Sequence, residues 1–470
     1  MLRAVATEEP KSEAKETSLL ERTLGVITDV HAGEGPTALL LTLNVFLLLC
    51  AYYVIKPVRE GLILNIPKGA EYKSYLGGVV AVALLFAVPI YGAVADRVAK
   101  HKLVVGVTLF FALHLVLFYG AGMRIDAMPK ETRGDAEVWL ALGFFSWVGI
   151  FSMMIVAQFW AFANDLYAEE QGKRLFALVG IGASAGGVVG AAATKALVAP
   201  LGTLNLLLVC ATILCASAGL TWLTAKREGA GEKTKEKTKK DSGDKGGTFL
   251  LVFRHRYLTL IAVFALLFTF VNTNGEFILG SLVKSAAGEV KAAAILAGED
   301  GGKAAKTFTT GFYGDFFLYV NILVMVLQTF AVSRIVKFGG LRIAFFILPI
   351  IALVDALGIA AAPVLAIIRI GKIAENATDY SVNNTVRNML WLPTTTEMKY
   401  KAKQAVDTFF VRAGDVASAG LVWLATREEP GWSMRTVALV NIGLVVGWLA
   451  VARGIIAENA KMTAAHHAED

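Results

Sequence analysis

The sequence predicts an all-α polytopic membrane protein in which twelve transmembrane helices form two halves of six. The first observation behind this prediction is composition. Of 470 residues, 56% are hydrophobic and 18% are charged, whereas soluble domains carry about 25% charged residues. The second is that apolar runs recur along the whole chain, and about 20 residues suffice for one span. The third is one long polar interruption near the middle. These observations exclude a large soluble domain.

The apolar runs divide the chain into five parts. We expect an N-terminal segment at 1–35, a first six-helix half at 36–225, a charged linker at 226–247, a second half at 248–456 and a tail at 457–470. Two similar halves are typical of transporters built from repeats. The spans are predicted at 36–63, 75–95, 102–123, 137–163, 174–198 and 203–225, then at 257–283, 312–335, 341–361, 363–392, 404–426 and 433–456.

The distribution of basic residues predicts that both termini lie in the cytoplasm. The linker holds eight Lys/Arg and five Asp/Glu, and positive charge favours the cytoplasmic side of a membrane. Residues 1–35 lack the short apolar core of a cleavable signal. We therefore expect a multi-pass protein of the bacterial inner membrane, in which residues 285–311 form a mobile segment outside.

A glycine, an acid and a base follow the second predicted span. Gly92, Asp96 and Arg97 precede Lys100 and Lys102, an arrangement that resembles the loop signature of the major facilitator superfamily. Gly92 would permit close approach of helices, and Asp96 could pair with a cation or a helix N-terminus. We predict a gating role for these three residues. The alternative is an ordinary basic loop on the cytoplasmic side.

The first span carries charges near its end. Lys56 and Glu60 are four residues apart and share a helix face, with Arg59 beside them. Pro57 predicts a kink, because proline removes a backbone donor and disfavours helical geometry at the preceding residue. Charges inside a span normally face a cavity or one another. The alternative is that this is simply the helix end, with both cations reaching water.

The seventh span contains one carboxylate late in an apolar run. Glu276 lies four residues after Asn272, so both share a face. We expect Glu276 either to carry a proton or ion, or to pair with a cation opposite. Candidate partners are Lys56, Arg59 and Arg369. A purely structural salt bridge is the alternative.

The tenth span is the most polar of all. Its polar residues recur every three or four positions, which places them on one helical stripe that should line a water-filled path. A surface helix lying across the membrane interface is the alternative. The eleventh span adds Asp407, Arg412 and Asp415. The stripe consists of Arg369, Lys372, Asn376, Asp379, Asn383 and Arg387.

The fifth span has a different pattern, with glycines at every fourth position. Gly182, Gly186 and Gly190 predict close helix packing without a role in binding. Signatures of enzymes are missing, since the chain has no phosphate-cradling P-loop, no H-E-x-x-H motif and no nucleophile elbow. We expect no enzymatic activity, no cofactor, no metal and no nucleic-acid partner.

Several segments resemble the nucleotide transporter family of plastids and intracellular bacteria, the ATP/ADP exchange carriers, which have the major facilitator fold. The strongest are WAFAND at 160–165, KRLFALVGIGA at 173–183, FYGDF at 312–316 and KAKQAVD at 401–407. The resemblance implies exchange of an anionic nucleotide by alternating access. It implies that basic residues of spans one, ten and eleven hold phosphates, that Glu276 is an essential carboxylate, and that Asn164 contacts substrate.

The chain departs from that family at three positions. Asn376 and Asp379 in the tenth span, and Asp415 in the eleventh, stand where the family pattern carries lysines. Each change removes a cation from a site that would hold phosphates. The sequence is therefore identified as a divergent bacterial member of the family.

The leading hypothesis is a secondary carrier for a nucleotide or related phosphorylated anion. Cations would neutralise the solute, carboxylates would hold those cations in the empty state, and the only partners would be the solute and the lipid bilayer around a monomer. A proton-coupled carrier of another solute, with Glu276 or Asp379 titrating, is the second hypothesis. A non-transporting receptor or scaffold is the third. The cations are Lys56, Arg59, Arg387 and Arg412; the carboxylates are Glu60, Glu276 and Asp379, with Asp315, Asp407 and Asp415 as further charge partners.

Overall fold

The computed structural model describes residues 18–95, 97–228, 245–395, 398–428 and 430–469, which are helical with no β-strand. The helices are α1 (Leu19–Leu24), α2 (Gly35–Ile63), α3 (Gly69–Ala95), α4 (Lys100–Asp126), α5 (Lys130–Leu166), α6 (Glu169–Leu201), α7 (Leu206–Arg227), α8 (Lys245–Arg254), α9 (Arg256–Leu296), α10 (Gly301–Val326), α11 (Val332–Ala361), α12 (Leu365–Thr378), α13 (Asn384–Met389), α14 (Lys403–Ala405), α15 (Val411–Thr426) and α16 (Met434–Glu469). π-helical turns join α10 to α11 (Leu327–Ala331) and α12 to α13 (Asp379–Asn383), and flank α14 (Met398–Ala402 and Val406–Phe410).

The described helices confirm a multi-pass membrane protein. Nine helical stretches in this part of the chain are long and apolar enough to cross a membrane. The longest, Gly301–Ala361, has 61 residues and turns within α11 at Gly340, whose φ is +64°. Because a side chain disfavours positive φ, glycine suits this break. The break falls between the predicted eighth and ninth spans.

The prediction of a mobile segment at 285–311 is wrong. Helix α9 continues to Leu296 and α10 begins at Gly301, because alanine, frequent in this stretch, is the best helix former. The Asp300 side chain caps α10 by accepting a hydrogen bond from the Lys303 backbone N–H at 3.0 Å. That backbone hydrogen bond holds the pKa of Asp300 below its usual value. The 41 residues of α9 extend about 60 Å, which is longer than a bilayer core of about 30 Å.

The chain ends also differ from expectation. Helix α16 continues to Glu469, so the boundary predicted at 456 is not a break in structure. Most of the predicted linker (229–244) lies outside the described residues, as do 1–17.

Two ion pairs lie at one end of the helix bundle. Arg174 at the start of α6 bonds Glu34 at the start of α2 (3.0 Å), and Lys100 of α4 bonds Asp165 of α5 (2.5 Å). We call this end, where α2 begins and α3, α5 and α7 end, the terminal side. The other end, with the turns at 64–68, 127–129, 202–205 and 297–300, is the opposite side.

The apolar core is shared on the opposite side and divided on the terminal side. We call helices α2–α7 the first group and helices α9–α16 the second group. One cluster of buried residues contains side chains of the first group together with side chains from the opposite-side parts of the second group, such as Phe277, Phe316 and Val422. A separate cluster holds the terminal-side parts of the second group, including Phe264, Phe345 and Trp448. The two groups therefore separate towards the terminal side.

Glycines of α6 pack against α2, which confirms the prediction from their spacing. A Cβ at Gly186 would lie 2.3 Å from the Phe46 carbonyl oxygen, and one at Gly190 would lie 2.3 Å from that of Cys50. At Gly182 the corresponding contact is the Thr42 carbonyl oxygen, at 2.5 Å. Small residues at this spacing let two helix backbones touch.

We expect Gly186→Ala to lower the free energy of unfolding by about 1–3 kcal/mol, because overpacking shifts the backbone. Gly180→Ala, on the same helix, is the matched control, since nothing lies within 4 Å of a Cβ there. Thermal unfolding of both variants in detergent measures the difference. Equal melting temperatures would contradict the close α2–α6 contact.

Candidate functional site

Helix α2 places three charged residues in the interior. It continues through Pro57 to Ile63, so Lys56 and Glu60 do not mark a helix end. Their residues are 8% and 1% exposed, which excludes side chains that reach bulk water. Arg59 Nη2 lies 2.5 Å from Glu60 Oε1.

Lys73 of α3 connects α2 to the second group. Its Nζ lies 2.9 Å from Glu60 Oε2 and 3.2 Å from Glu276 Oε2 on α9. Sequence reasoning missed Lys73 because it placed the second span at 75–95. The structure begins α3 at Gly69. The sequence did contain one indication of this contact. The connection after α2 is short, so the start of α3 must lie beside Glu60.

Lys372 of α12 continues the chain of charges. Its Nζ lies 2.8 Å from Glu375 Oε2 and 3.8 Å from Glu276 Oε1. It also donates a hydrogen bond to Asn272 Oδ1 at 2.8 Å. The lysine side chain is fully buried. Glu276 therefore lies between Lys73 and Lys372, and the predicted partners Lys56, Arg59 and Arg369 were wrong.

Lys56 has a different environment from the other lysines. Its Nζ lies 4.3 Å from the ring centre of Phe317, 5.2 Å from that of Tyr52 and 5.3 Å from that of Tyr53. Among the described residues no carboxylate lies within 4.0 Å of this ammonium. Aromatic faces attract a cation but leave its hydrogen-bond donors available. We call Lys56, Arg59, Glu60, Lys73, Glu276, Lys372 and Glu375 the central cluster.

Arg369 belongs to another group of charges. Asp315 of α10 bonds Arg369 Nη2 at 2.5 Å and Lys195 Nζ of α6 at 2.6 Å. Asp315 thus joins Lys195 of the first group to Arg369 of the second.

The remaining polar residues of the tenth and eleventh spans lie outside the central cluster. Arg387 pairs with Asp407 (3.1 Å), and Arg412 pairs with Asp415 (3.0 Å). Asp415 also accepts a hydrogen bond from Thr273 (2.9 Å). The structure therefore does not bring Arg387 or Arg412 beside Lys56.

Asp379 forms no ion pair within 4.0 Å in the described part of the chain, so its predicted role as a holder of a cation stays a prediction. It accepts a hydrogen bond from Asn383 Nδ2 at 2.8 Å within a π-helical turn. Asn376 and Asn383 are buried. The turn of π-helix shifts Asn383 and Arg387 away from the regular stripe that the sequence predicted.

Two of the predicted gating residues, Gly92 and Arg97, lie on the terminal side, as does Asn164. Nothing lies within 4 Å of a Cβ at Gly92, so the expected close helix approach there was wrong. Arg97 and Asn164 are exposed, and Asn164 is remote in sequence and position from the central cluster. Asp96 lies outside the described residues.

Within the described ranges, no group of three His, Cys, Asp or Glu side chains is arranged to hold a metal. The central cluster instead consists of buried, alternating charges contributed by α2, α3, α9 and α12. A sequence model of the Major Facilitator Superfamily matches residues 41–391. The chain belongs to this superfamily.

Individual relatives of this major facilitator protein are ADP,ATP carriers. It is 23% identical to ADP,ATP carrier protein 1 of Chlamydia trachomatis, over 90% of this chain and 88% of the relative. It is 22% identical to the carrier of the same name from Chlamydia pneumoniae, over 83% and 84%. These similarities confirm the resemblance inferred from sequence, at the distance of a divergent member.

Solved transporters share the fold. A bacterial homologue of the iron transporter ferroportin, in an inward-facing state, has a TM-score of 0.59 at 13% identity, covering 89% of this chain and 98% of that chain. Nucleoside transporter NupG has a TM-score of 0.58 at 12% identity, covering 90% and 98%. At such identities the likeness concerns the fold alone. This major facilitator protein is a membrane transporter of small solutes, not an enzyme.

We expect Glu60→Gln to destabilise this major facilitator protein more than Glu276→Gln does. Glu60→Gln leaves Arg59 without its carboxylate, and an uncompensated buried charge costs about 3–5 kcal/mol. After Glu276→Gln, Lys73 retains Glu60 and Lys372 retains Glu375. Thermal unfolding in nanodiscs measures both variants. A larger loss for Glu276→Gln would contradict the pairing described.

Proposed function

We propose that this protein is a secondary transporter that exchanges a nucleotide, or a related phosphorylated anion, at the central cluster. The observation that carries the proposal is a set of four cations where the two groups of helices meet. Lys56 and Lys372 are buried, and Arg59 and Lys73 are half-buried. Buried cations of this kind are expensive unless paired. An anionic solute would complete the pairing.

The cluster is arranged for exchange of partners. Three carboxylates, Glu60, Glu276 and Glu375, hold Arg59, Lys73 and Lys372. A solute phosphate would bind first at Lys56, whose donors are not engaged by a carboxylate in the described part of the chain. It would then replace Glu276 on the two lysines. Because an empty cluster restores these ion pairs, loading and unloading are coupled to its rearrangement.

The surroundings of Lys56 suit a nucleotide. Tyr52, Tyr53 and Phe317 surround its ammonium, and aromatic rings stack favourably on bases. The bacterial relatives are ADP,ATP carriers, which points to the same class of solute. The acidic or neutral residues at positions 376, 379 and 415 lie outside the cluster, so they leave its four cations intact.

The shape of the bundle supports alternating access. On the opposite side the groups are joined by Lys306 to Glu137 (3.0 Å) and by Lys284 to the Ile66 carbonyl oxygen (2.9 Å). The terminal-side ion pairs Lys100–Asp165 and Arg387–Asp407 each lie within one group. Because the apolar core is divided on the terminal side, we infer a state that is open there. Positive charge there favours the cytoplasm.

The same reasoning extends to topology. We propose twelve crossings in two halves of six, with both termini in the cytoplasm of a bacterium and a monomer as the working unit. An equivalent polar contact occurs within each half, between its first and last spans. Asn44 of α2 accepts a hydrogen bond from Ser217 of α7 (2.5 Å), and Asn274 of α9 donates one to Asn441 of α16 (2.9 Å). The predicted boundary at 225 lies two residues before the end of α7, and the one at 248 lies within α8.

We expect proteoliposomes preloaded with ADP to take up labelled ATP, and Lys73→Ala to lose most of that uptake because two carboxylates lose their shared cation. Lys291→Ala, an exposed position on α9, is the matched control and should retain uptake. Uptake in empty vesicles at the same rate would contradict exchange. No uptake of ATP by folded protein would contradict the nucleotide class, and retention of uptake by Lys73→Ala would contradict the site.

A further inference from the structure

Asp355 of α11 is a buried carboxyl group that transport at the central cluster does not use. The residue is 6% exposed, and its Oδ1 has no hydrogen-bond partner among the described residues. No basic group there forms an ion pair with it. An isolated, buried carboxylate costs several kcal/mol, and such groups neutralise instead.

Two residues of α12 fix the environment of Asp355. A Cβ at position 371 would lie 1.7 Å from Asp355 Oδ1, so only glycine at 371 admits the acid against the α12 backbone. Glu375 follows Gly371 by four residues on α12, so its side chain lies on the same helix face as the glycine that Asp355 contacts. Two carboxyl groups therefore meet between α11 and α12.

Few other charges face this pair. Lys372 of α12 bonds Glu375 at 2.8 Å, and Asp379 follows one turn later. Arg387 of α13 is engaged by Asp407. Neither the stretch 436–452 of α16 nor the rest of 344–361 in α11 contains an ionisable side chain. One cation thus serves two adjoining acids.

We propose that Asp355 and Glu375 form a proton-binding site, and that its protonation state controls how strongly the two carboxyl groups attract Lys372. With a proton, Asp355 donates a hydrogen bond to Glu375 and leaves one negative charge for one lysine. Without it, two like charges adjoin, which is unfavourable for neighbouring carboxylates. The proton belongs to the pair rather than to either residue. Water exchanges it through a small cavity that Glu375, Asp379, Asn272 and Trp448 line.

Proton binding and anion binding then favour one another. The deprotonated pair draws Lys372 away from Glu276 and from a solute phosphate, whereas the protonated pair releases it to them. Linkage is reciprocal, so anion binding takes up a proton. This consequence rests on the proposed function; the proton site itself does not. Proton coupling is thereby assigned to Asp355 rather than to Glu276, because Glu276 lies between two lysines.

Infrared difference spectroscopy of the full chain in nanodiscs tests the proton site directly. We expect wild type to show the carbonyl stretch of a protonated carboxyl group that disappears as the pH is raised. Asp355→Asn should lose this band. Asp135→Asn, the same change at an exposed position of α5, should retain it. A titrating band that persists in Asp355→Asn, or no such band in wild type, would overturn the site.

Equilibrium binding of labelled ATP between acidic and alkaline pH tests the coupling. Wild type should bind at least about fivefold more tightly at acidic pH, the lower end of usual coupling factors, and Asp355→Asn should bind independently of pH. Equal pH dependence in both would overturn the coupling. If ATP does not bind at all, the proposed nucleotide function fails, while the infrared result still decides the proton site.

Discussion

The structure depends on one chain of buried charges. Arg59, Glu60, Lys73, Glu276, Lys372 and Glu375 alternate in sign as the chain passes from α2 through α3 and α9 to α12. Each charge alone would be too costly inside a membrane protein. Their pairing therefore fixes the positions of four helices relative to one another. In the proposed function, it is also the place where an anionic solute exchanges with a carboxylate.

The arrangement of the apolar core is compatible with rearrangement of these ion pairs. Helices of both groups share one core on the opposite side, whereas the second group has its own core on the terminal side. The central cluster lies where the two cores diverge, so its ion pairs join the groups without a continuous apolar contact beyond them. Breaking and remaking a few ion pairs there is compatible with rocking of the groups, the motion typical of transporters built from repeats.

Much of the fold could be predicted because apolar periodicity reports burial in lipid. The sequence located α2 within one residue and the turn near Gly340, and it identified Glu276 and the polar stripe. It could not predict which cation meets Glu276. Arg369 and Lys372 share one stripe three residues apart, and the rotation and depth of α12 decide between them. Those are tertiary properties that no local spacing contains.

Other parts of the site were missed for related reasons. Lys73 stood in a predicted loop, because a charged residue interrupts an apolar run even where it lies inside the protein. Asp355 was not selected, since a single acid in an apolar span has no local pattern. Its significance comes from Gly371 and Glu375 on a neighbouring helix. The Ala-rich end of α9 was mistaken for a mobile segment because small residues occur both in loops and in helices.

The most direct test of the account separates binding from turnover in Glu276→Gln, using labelled ATP for both. If the solute replaces Glu276 on Lys73 and Lys372, removing the carboxylate's charge should tighten ATP binding while slowing ATP/ADP exchange, because the emptied cluster can no longer restore its ion pairs. Binding that weakens together with exchange would instead make Glu276 a purely structural partner, and would contradict the competition on which the account depends.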